Sequence, residues 1–325
     1  MRSFAVLAVL FDHTYMAMDR GQTRSSFAVS LGTFGVYLFF VHTTLVLMWS
    51  LERQPDTLSF YIRRAFRIYP LAIFAVAVTV LFRIPAFGLS GIFVRPPTEW
   101  PAILSNLFLV HNLLHYPNVE MVLWTLPLEV QMYIGLPALF AFARKEQKLW
   151  PLVTLWGAAA VCAYCLLPRA FDVQQFFAFI PNFIPGAVAF VSFMSAKRRW
   201  PAWAFGLLLG ALTIAYVLRP SRPMGWICCL VLGLLIPHFR PTRNLLLCTI
   251  GHAVAKYSYG IYLLHLWAIA IGFYYLPLHH LWAKVTIELL CVAVLAPLAY
   301  RLIEKPAMDF GARIARRVLL RAIAE

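Results

Sequence analysis

The chain is a succession of apolar runs, each about 20 residues long, the length an α-helix needs to cross ~30 Å of hydrocarbon. Backbone in a bilayer has no water to bond, so such runs predict helices that satisfy their own N–H and C=O groups. Ten runs qualify: 3–18, 33–51, 70–88, 123–143, 149–168, 176–195, 202–217, 224–239, 257–276 and 282–302. Composition agrees, with 62% apolar and only 13% charged residues, where a soluble domain carries about 25% charged residues. The expected fold is therefore all-α: a polytopic integral membrane bundle of about ten transmembrane helices. Soluble, disordered, collagen-like and disulfide-scaffold classes are excluded.

The formal charge of +15, from 28 Lys and Arg against 13 Asp and Glu, would raise nucleic-acid binding in a soluble chain. In a membrane chain it sorts by the positive-inside rule, and no nucleic-acid partner is expected. With a cytoplasmic N-terminus and ten alternating spans, 20 of the 28 fall on the cytoplasmic side. Arg20, Arg24, Arg83, Arg95, Arg169, Arg219 and Arg222 fall outside, and Lys284 falls within a span. Both termini are then cytoplasmic. Counting 101–114 as a crossing would put Arg144, Lys145 and Lys148 outside and invert every later loop, so that run reads as a short re-entrant or outer-surface segment. Residues 1–306 form the transmembrane domain. The tail 307–325 reads as a basic amphipathic helix, with Ile314, Val318 and Leu319 opposite Arg313, Arg316, Arg317 and Arg321; it is expected on the anionic cytoplasmic leaflet, with a partner protein as the alternative. The first span, interrupted by Asp12-His13-Thr14, reads as a retained helix and not a cleaved signal. All six cysteines lie in apolar stretches and read as small buried hydrophobes; no metal site is expected.

Ionisable groups within spans are costly and ask for a partner or a task. His13 lies 11 residues past Arg2, about 16 Å along a helix and within about 20° of the same face. Such a face can line a channel; a core histidine bonded across the bundle is the alternative. Asp12 points roughly 100° away and is not placed to orient the imidazole. Arg64 and Arg67, spaced i,i+3, share a face and can fork onto phosphate oxygens, with Arg63 elsewhere; a snorkelling anchor is the alternative. Glu129 lies about 9 Å in from Leu123, a depth within reach of His13 if the helices adjoin, although its partner can equally be a structural arginine. Lys284 and Glu288, i,i+4, are expected to pair. His265 is either core or substrate-lining, and His42 beside Thr43 and Thr44 reads as structural.

Taken together, these stretches resemble the bacterial acyltransferase family 3 membrane proteins, which O-acylate surface and extracellular carbohydrates. Arg2 and His13 are similar to the family's Arg-x10-His element, and Arg64-Ala65-Phe66-Arg67 to its Arg-x-x-Arg. Trp124-Thr125-Leu126-Pro127-Leu128-Glu129-Val130-Gln131-Met132-Tyr133 resembles Trp-Ser-Leu-x-x-Glu-x-Gln-Phe-Tyr. Ser258 to His265 resembles Ser-Tyr-x-x-Tyr-x-x-His, and Ile303-Glu304-Lys305-Pro306 resembles Ile-Glu-x-Pro. In the second span Tyr37 stands where the family has an acid, and Thr43-Thr44 where it has Ser-Gly, a departure that bears on the acceptor. The family's first Arg usually follows a few residues, so a start upstream of Met1 is expected.

The resemblance implies an integral enzyme of the bacterial inner membrane. It would move an acyl group, most simply acetyl, from cytoplasmic acyl-CoA to a hydroxyl of an exopolysaccharide, lipopolysaccharide or oligosaccharide. Acyl-CoA is a co-substrate, and no bound cofactor is implied. Arg64 and Arg67 would hold the phosphates with help from Arg2. His13 would be general base or transient acyl carrier, Glu129 would stabilise its charged form, and Trp124, Tyr133 and His265 would line the substrate. Membrane lipids are the remaining expected partners. A proton-coupled transporter or flippase for a lipid-linked or amphipathic solute is the competing class, against which the absence of internal symmetry counts.

Overall fold

A computed structural model describes residues 1–19, 26–87, 93–166, 173–195 and 200–324. Arg20, Arg24, Arg169, Lys197, Arg198 and Arg199, used in the charge assignment, lie outside the described residues. Thirteen α-helices occur among them: α1 Arg2–Asp19, α2 Ser26–Arg53, α3 Thr57–Leu81, α4 Trp100–Leu107, α5 His111–Leu114, α6 Thr125–Glu146, α7 Leu149–Leu166, α8 Val173–Ser195, α9 Ala202–Leu218, α10 Arg222–Leu235, α11 Leu245–Ile269, α12 Leu281–Ala299 and α13 Lys305–Ala324. A 3-10 turn, Met121–Trp124, leads into α6, and π-helical stretches, Ala270–Tyr275 and Tyr300–Glu304, extend α11 and α12. The described strands are the two-residue pair Ala86–Phe87 and Phe93–Val94, antiparallel with Ala86 opposite Val94. Each expected span overlaps a helix, although the run 70–88 outlasts α3, which ends at Leu81 ahead of the strand Ala86–Phe87. Five helical segments are long and apolar enough to cross a bilayer: Phe27–Arg53, Thr57–Leu81, Met121–Glu146, Phe176–Ser195 and Leu281–Leu320.

The chain divides into two units. The first comprises Met1–Val9, Val29–Pro55 and Leu128–Ala255; the second comprises Leu10–Ala28, Asp56–Pro127 and Lys256–Glu325.

In the first unit, the buried faces of α2 (Phe34, Leu38, Phe40, Val41, Met48) and α8 (Phe183, Ala187, Val188, Phe190) form the core. Small residues permit the close approach. A Cβ on Gly186 would strike the Val41 carbonyl, and one on Gly233 of α10 would strike the Pro185 carbonyl. Helix α8 carries two internal prolines, Pro181 and Pro185. Pro185 has no N–H to give the Pro181 carbonyl. The Trp156 indole of α7 takes that role, its Nε1 donating to Pro181 O at 3.0 Å. Trp226 Nε1 likewise donates to Ala178 O at 2.9 Å. Cys228 and Cys229 are buried here, whereas Cys162 and Cys165 are exposed on α7, which corrects the expectation that all six cysteines are buried.

In the second unit, α3 starts 13 residues before the apolar run that predicted it at 70, because Asp56 caps it. The Asp56 carboxylate accepts from Ser59 N at 2.7 Å, and the Ser59 hydroxyl and amide hold the carboxyl below its ordinary range. Arg63, Arg64 and Arg67 therefore sit within the helix and not ahead of it. Residues 101–114 form α4 and α5, of eight and four residues, separated at Leu109 with φ 55°. Eight residues rise only about 12 Å, too short for a crossing. Buried Asn106 donates to Ala102 O and Pro117 O at 2.8 and 2.9 Å and accepts from Val119 N at 3.0 Å, which fixes the approach to Glu120. The tail helix packs along α3: Ser59 Oγ donates to Ala315 O at 3.0 Å, and Gly311 leaves room for the Phe66 ring. Its apolar stripe is thus partly covered by protein, while Arg313, Arg316 and Arg317 stay exposed.

Trp156→Phe removes the donor that answers the proline-freed carbonyl while keeping an aromatic ring. It is expected to lower stability by about 1 to 2 kcal/mol, the cost of leaving such a group unbonded. Thermal unfolding in detergent would check this.

Candidate active site

The second unit holds the densest set of buried polar side chains bonded across the sequence. His13, on the second half of α1, meets His265 of α11: its Nδ1 lies 2.6 Å from His265 Nε2. The ring planes differ by 3° and the centroids are 4.9 Å apart, close to the separation of two imidazoles meeting nitrogen to nitrogen. The shared hydrogen therefore lies near both ring planes, where the acceptor lone pair points. His265 is 1% exposed, and its Nδ1 faces the Tyr262 and Ile261 carbonyls at 2.8 and 3.1 Å. His13 itself keeps intermediate exposure. The next residue, Thr14, bonds the Leu10 carbonyl at 2.8 Å and the Glu288 carboxyl of α12. Glu288 was expected to pair with Lys284. Instead the Lys284 ammonium sits 5.7 Å from the centre of the Phe273 ring, because the π-helical extension of α11 presents that ring beside α12.

Tyr262 links this pair to the Trp-Thr-Leu-Pro turn. Its hydroxyl bonds Thr125 Oγ1 at 2.7 Å and donates to Val122 O at 2.9 Å. Trp124 ends the 3-10 turn beside it. Two residues beyond His265, Trp267 Nε1 donates to Glu120 Oε1 at 2.6 Å and to Thr79 Oγ1 at 2.8 Å, and Thr79 also bonds Glu120. Glu120, fully buried, precedes the apolar segment Met121–Glu146. Burial pushes its carboxyl up to about 7, with the Thr79 and Trp267 hydrogen bonds acting in the opposite direction.

The arginine pair of α3 is treated unequally. Arg67 is ion-paired with buried Glu304, its guanidinium lies 5.3 Å from the Tyr259 ring centre, and Nη1 approaches Met308 Sδ at 3.4 Å. Tyr259 in turn donates to Ile68 O at 2.7 Å, one residue past Arg67. Arg67 thus ties α3 to α11 and to the start of α13. Arg64 is half-buried on the same helix.

Arg2, Glu129 and Tyr133 belong to the first unit. The Arg2 guanidinium lies 5.3 Å from the centre of the Phe39 ring of α2. Glu129 is buried and accepts from the Tyr133 hydroxyl one turn later on α6. The structure therefore brings His13 to His265, and Glu129 to Tyr133. Sequence reasoning missed Glu120 and Thr79 altogether, and gave Glu288 the wrong partner. The available signals were a threonine adjoining His13 and a tryptophan two residues after His265. Among the described residues no cluster of three or more His, Cys, Asp or Glu is arranged to hold a metal ion.

A family model described as an acyltransferase domain matches residues 1–300. The chain belongs to this acyltransferase family. Acyltransferase MdmB of Streptomyces mycarofaciens is 28% identical over 186 residues, 54% of this chain and 46% of that protein, so the chain's match spans under half of that relative. Nodulation protein 10 of Rhizobium leguminosarum bv. viciae is 24% identical over 98% of this chain and 95% of its own length. A putative acetyltransferase, ORF330 of Acidianus two-tailed virus, is 24% identical over 82% and 81%. No solved structure matches. The protein is an enzyme that transfers acyl groups, and its long apolar helices make it a membrane acyltransferase.

A carboxyl whose folded value is about 7, raised from an ordinary 4.5, favours the protonated folded state. That contribution is complete below about 4.5 and is lost as pH rises through about 7. Between pH 5 and 8 the acyltransferase should lose up to about 3 kcal/mol from this group. Glu120→Gln, which keeps the accepting oxygen but cannot ionise, should flatten the loss, so its melting temperature relative to the wild-type protein should climb with pH.

Proposed function

We propose that the protein is an O-acyltransferase of the bacterial inner membrane that moves an acyl group, acetyl in the simplest case, from cytoplasmic acyl-CoA to a carbohydrate hydroxyl. The observation that carries this reading is the His13 imidazole, held at 2.6 Å by a second histidine among apolar helices. Such a ring, with one nitrogen bonded and the other without a hydrogen bond among the described residues, can serve acid–base chemistry on a hydroxyl. His13 removes the acceptor hydroxyl proton as the oxygen attacks the thioester carbonyl. When the C–S bond breaks, the CoA sulfur takes that proton, and the products are the ester and free CoA. The likeness to ORF330, a putative acetyltransferase, supports acetyl as the group moved.

Donor phosphates are assigned to Arg64, with Arg2 and Arg67 assisting. The Glu304 ion pair offsets part of the Arg67 charge. By the family resemblance alone, Glu129 is assigned to support the imidazolium and Trp124, Tyr133 and His265 to the acceptor. Ten crossings with both termini cytoplasmic complete the proposal, since this arrangement places Arg53, Arg63, Arg64 and Arg67 on the side where acyl-CoA is made.

Membranes from cells carrying the chain, supplied with radiolabelled acetyl-CoA, should transfer label to their carbohydrate fraction. His13→Ala should lower this by at least about 100-fold, the low end of general acid–base catalysis, with CoA affinity nearly unchanged. Arg64→Ala should instead weaken CoA binding by about 1.5 to 3 kcal/mol. Wild-type transfer by His13→Ala would remove that residue from the chemistry.

A further inference from the structure

The hydrogen-bond chain through His265 has a direction. Its Nδ1 faces two backbone carbonyls, which can only accept, so Nδ1 carries a hydrogen. A doubly protonated His265 would bury a cation whose bonding partners are two carbonyls and an imidazole, without a carboxylate among them. His265 is therefore neutral, and its Nε2 is a lone-pair acceptor. The 2.6 Å contact then needs its hydrogen from His13 Nδ1. A neutral His13 with hydrogen on Nδ1 has a bare Nε2, the atom that base chemistry requires.

We propose that His265 is a positioning residue that locks His13 in the Nδ1–H tautomer, so that Nε2 is held unprotonated toward the acceptor hydroxyl. The carbonyl-anchored histidine does for His13 what a carboxylate does in many catalytic pairs, without placing a second charge in the apolar interior. It explains why Asp12, adjacent in sequence and also buried, is not the orienting group: on α1 it points to another face. It also gives Tyr262 a place in the site. Through its hydroxyl Tyr262 anchors the Thr125 turn, and through its carbonyl it sets the His265 ring. The inference rests on the acyl-transfer reading.

The test uses the full chain in native membranes, with radiolabelled acetyl-CoA as probe and label on the carbohydrate fraction as readout. His265→Leu fills the space but accepts nothing, and should lower Vmax by about 100-fold with little change in the KM for acetyl-CoA. His265→Gln places an amide oxygen near the position of Nε2 and should restore about tenfold of that loss, since the acceptor for His13 Nδ1–H returns. Should His265→Leu give no folded protein, His265→Asn replaces it; its amide reaches the carbonyls but stops short of His13, and it should show the same loss in Vmax. Full turnover in His265→Leu or His265→Asn, or equal losses in the Leu and Gln variants with a raised KM, would mean that the residue only packs, and would overturn the inference while leaving the acyl-transfer reading standing. No transfer by the wild-type protein would overturn the reading and the inference together.

Discussion

Burying an ionisable side chain among apolar helices is costly unless another group answers it, and four such answers organise much of the second unit of this protein. His13 is answered by His265, Arg67 by Glu304, Glu288 by Thr14, and Glu120 by Thr79 and Trp267. Every one of these pairs joins positions far apart in the chain. Together they fasten α1, α3, α11, α12 and the turn before α6 to one another, so the polar contacts that permit burial also define where the helices meet. Packing supplies the rest. The glycines at 260 and 311 let α11 approach α12, and α13 approach α3, closely enough for these contacts to form.

The Arg67–Glu304 pair changes how the basic face of α3 is understood. Spacing made Arg64 and Arg67 equivalent, two guanidinium groups on one face. The structure gives them different work, because Glu304 and the Tyr259 ring occupy Arg67. The carboxylate offsets part of the Arg67 charge, and the pair holds α3 in register with the C-terminal helices. Replacing Glu304 would be expected to disturb α3 and α13 together, since α13 continues directly from that residue.

Helix positions were legible because crossing a bilayer demands long apolar runs, and all ten runs overlap helices. The start of α3 was not legible, since hydropathy cannot see a cap, and Asp56 adds an N-terminal stretch that hydropathy alone leaves out. His13, Arg64, Arg67, Glu129 and His265 were singled out from spacing and from motif resemblance. Their partners were not, because partner choice depends on helix rotation. Glu288 illustrates this: i,i+4 spacing offered Lys284, but α12 turns its carboxyl to Thr14 and leaves the ammonium on Phe273. Glu120 escaped notice because it lies just outside an apolar run, and its burial follows from the Asn106-braced loop before it.

At the centre of this account stands one hydrogen atom, on Nδ1 of His13. Nitrogen-15 spectroscopy of the histidine-labelled protein reads it directly, with the His13 signals among the nine histidines identified by their loss in His13→Ala. At neutral pH the ring should be neutral, with Nδ1 protonated and Nε2 bare, the less common tautomer of free imidazole side chains. A His13 ring protonated at Nε2, or at both nitrogens, would contradict it.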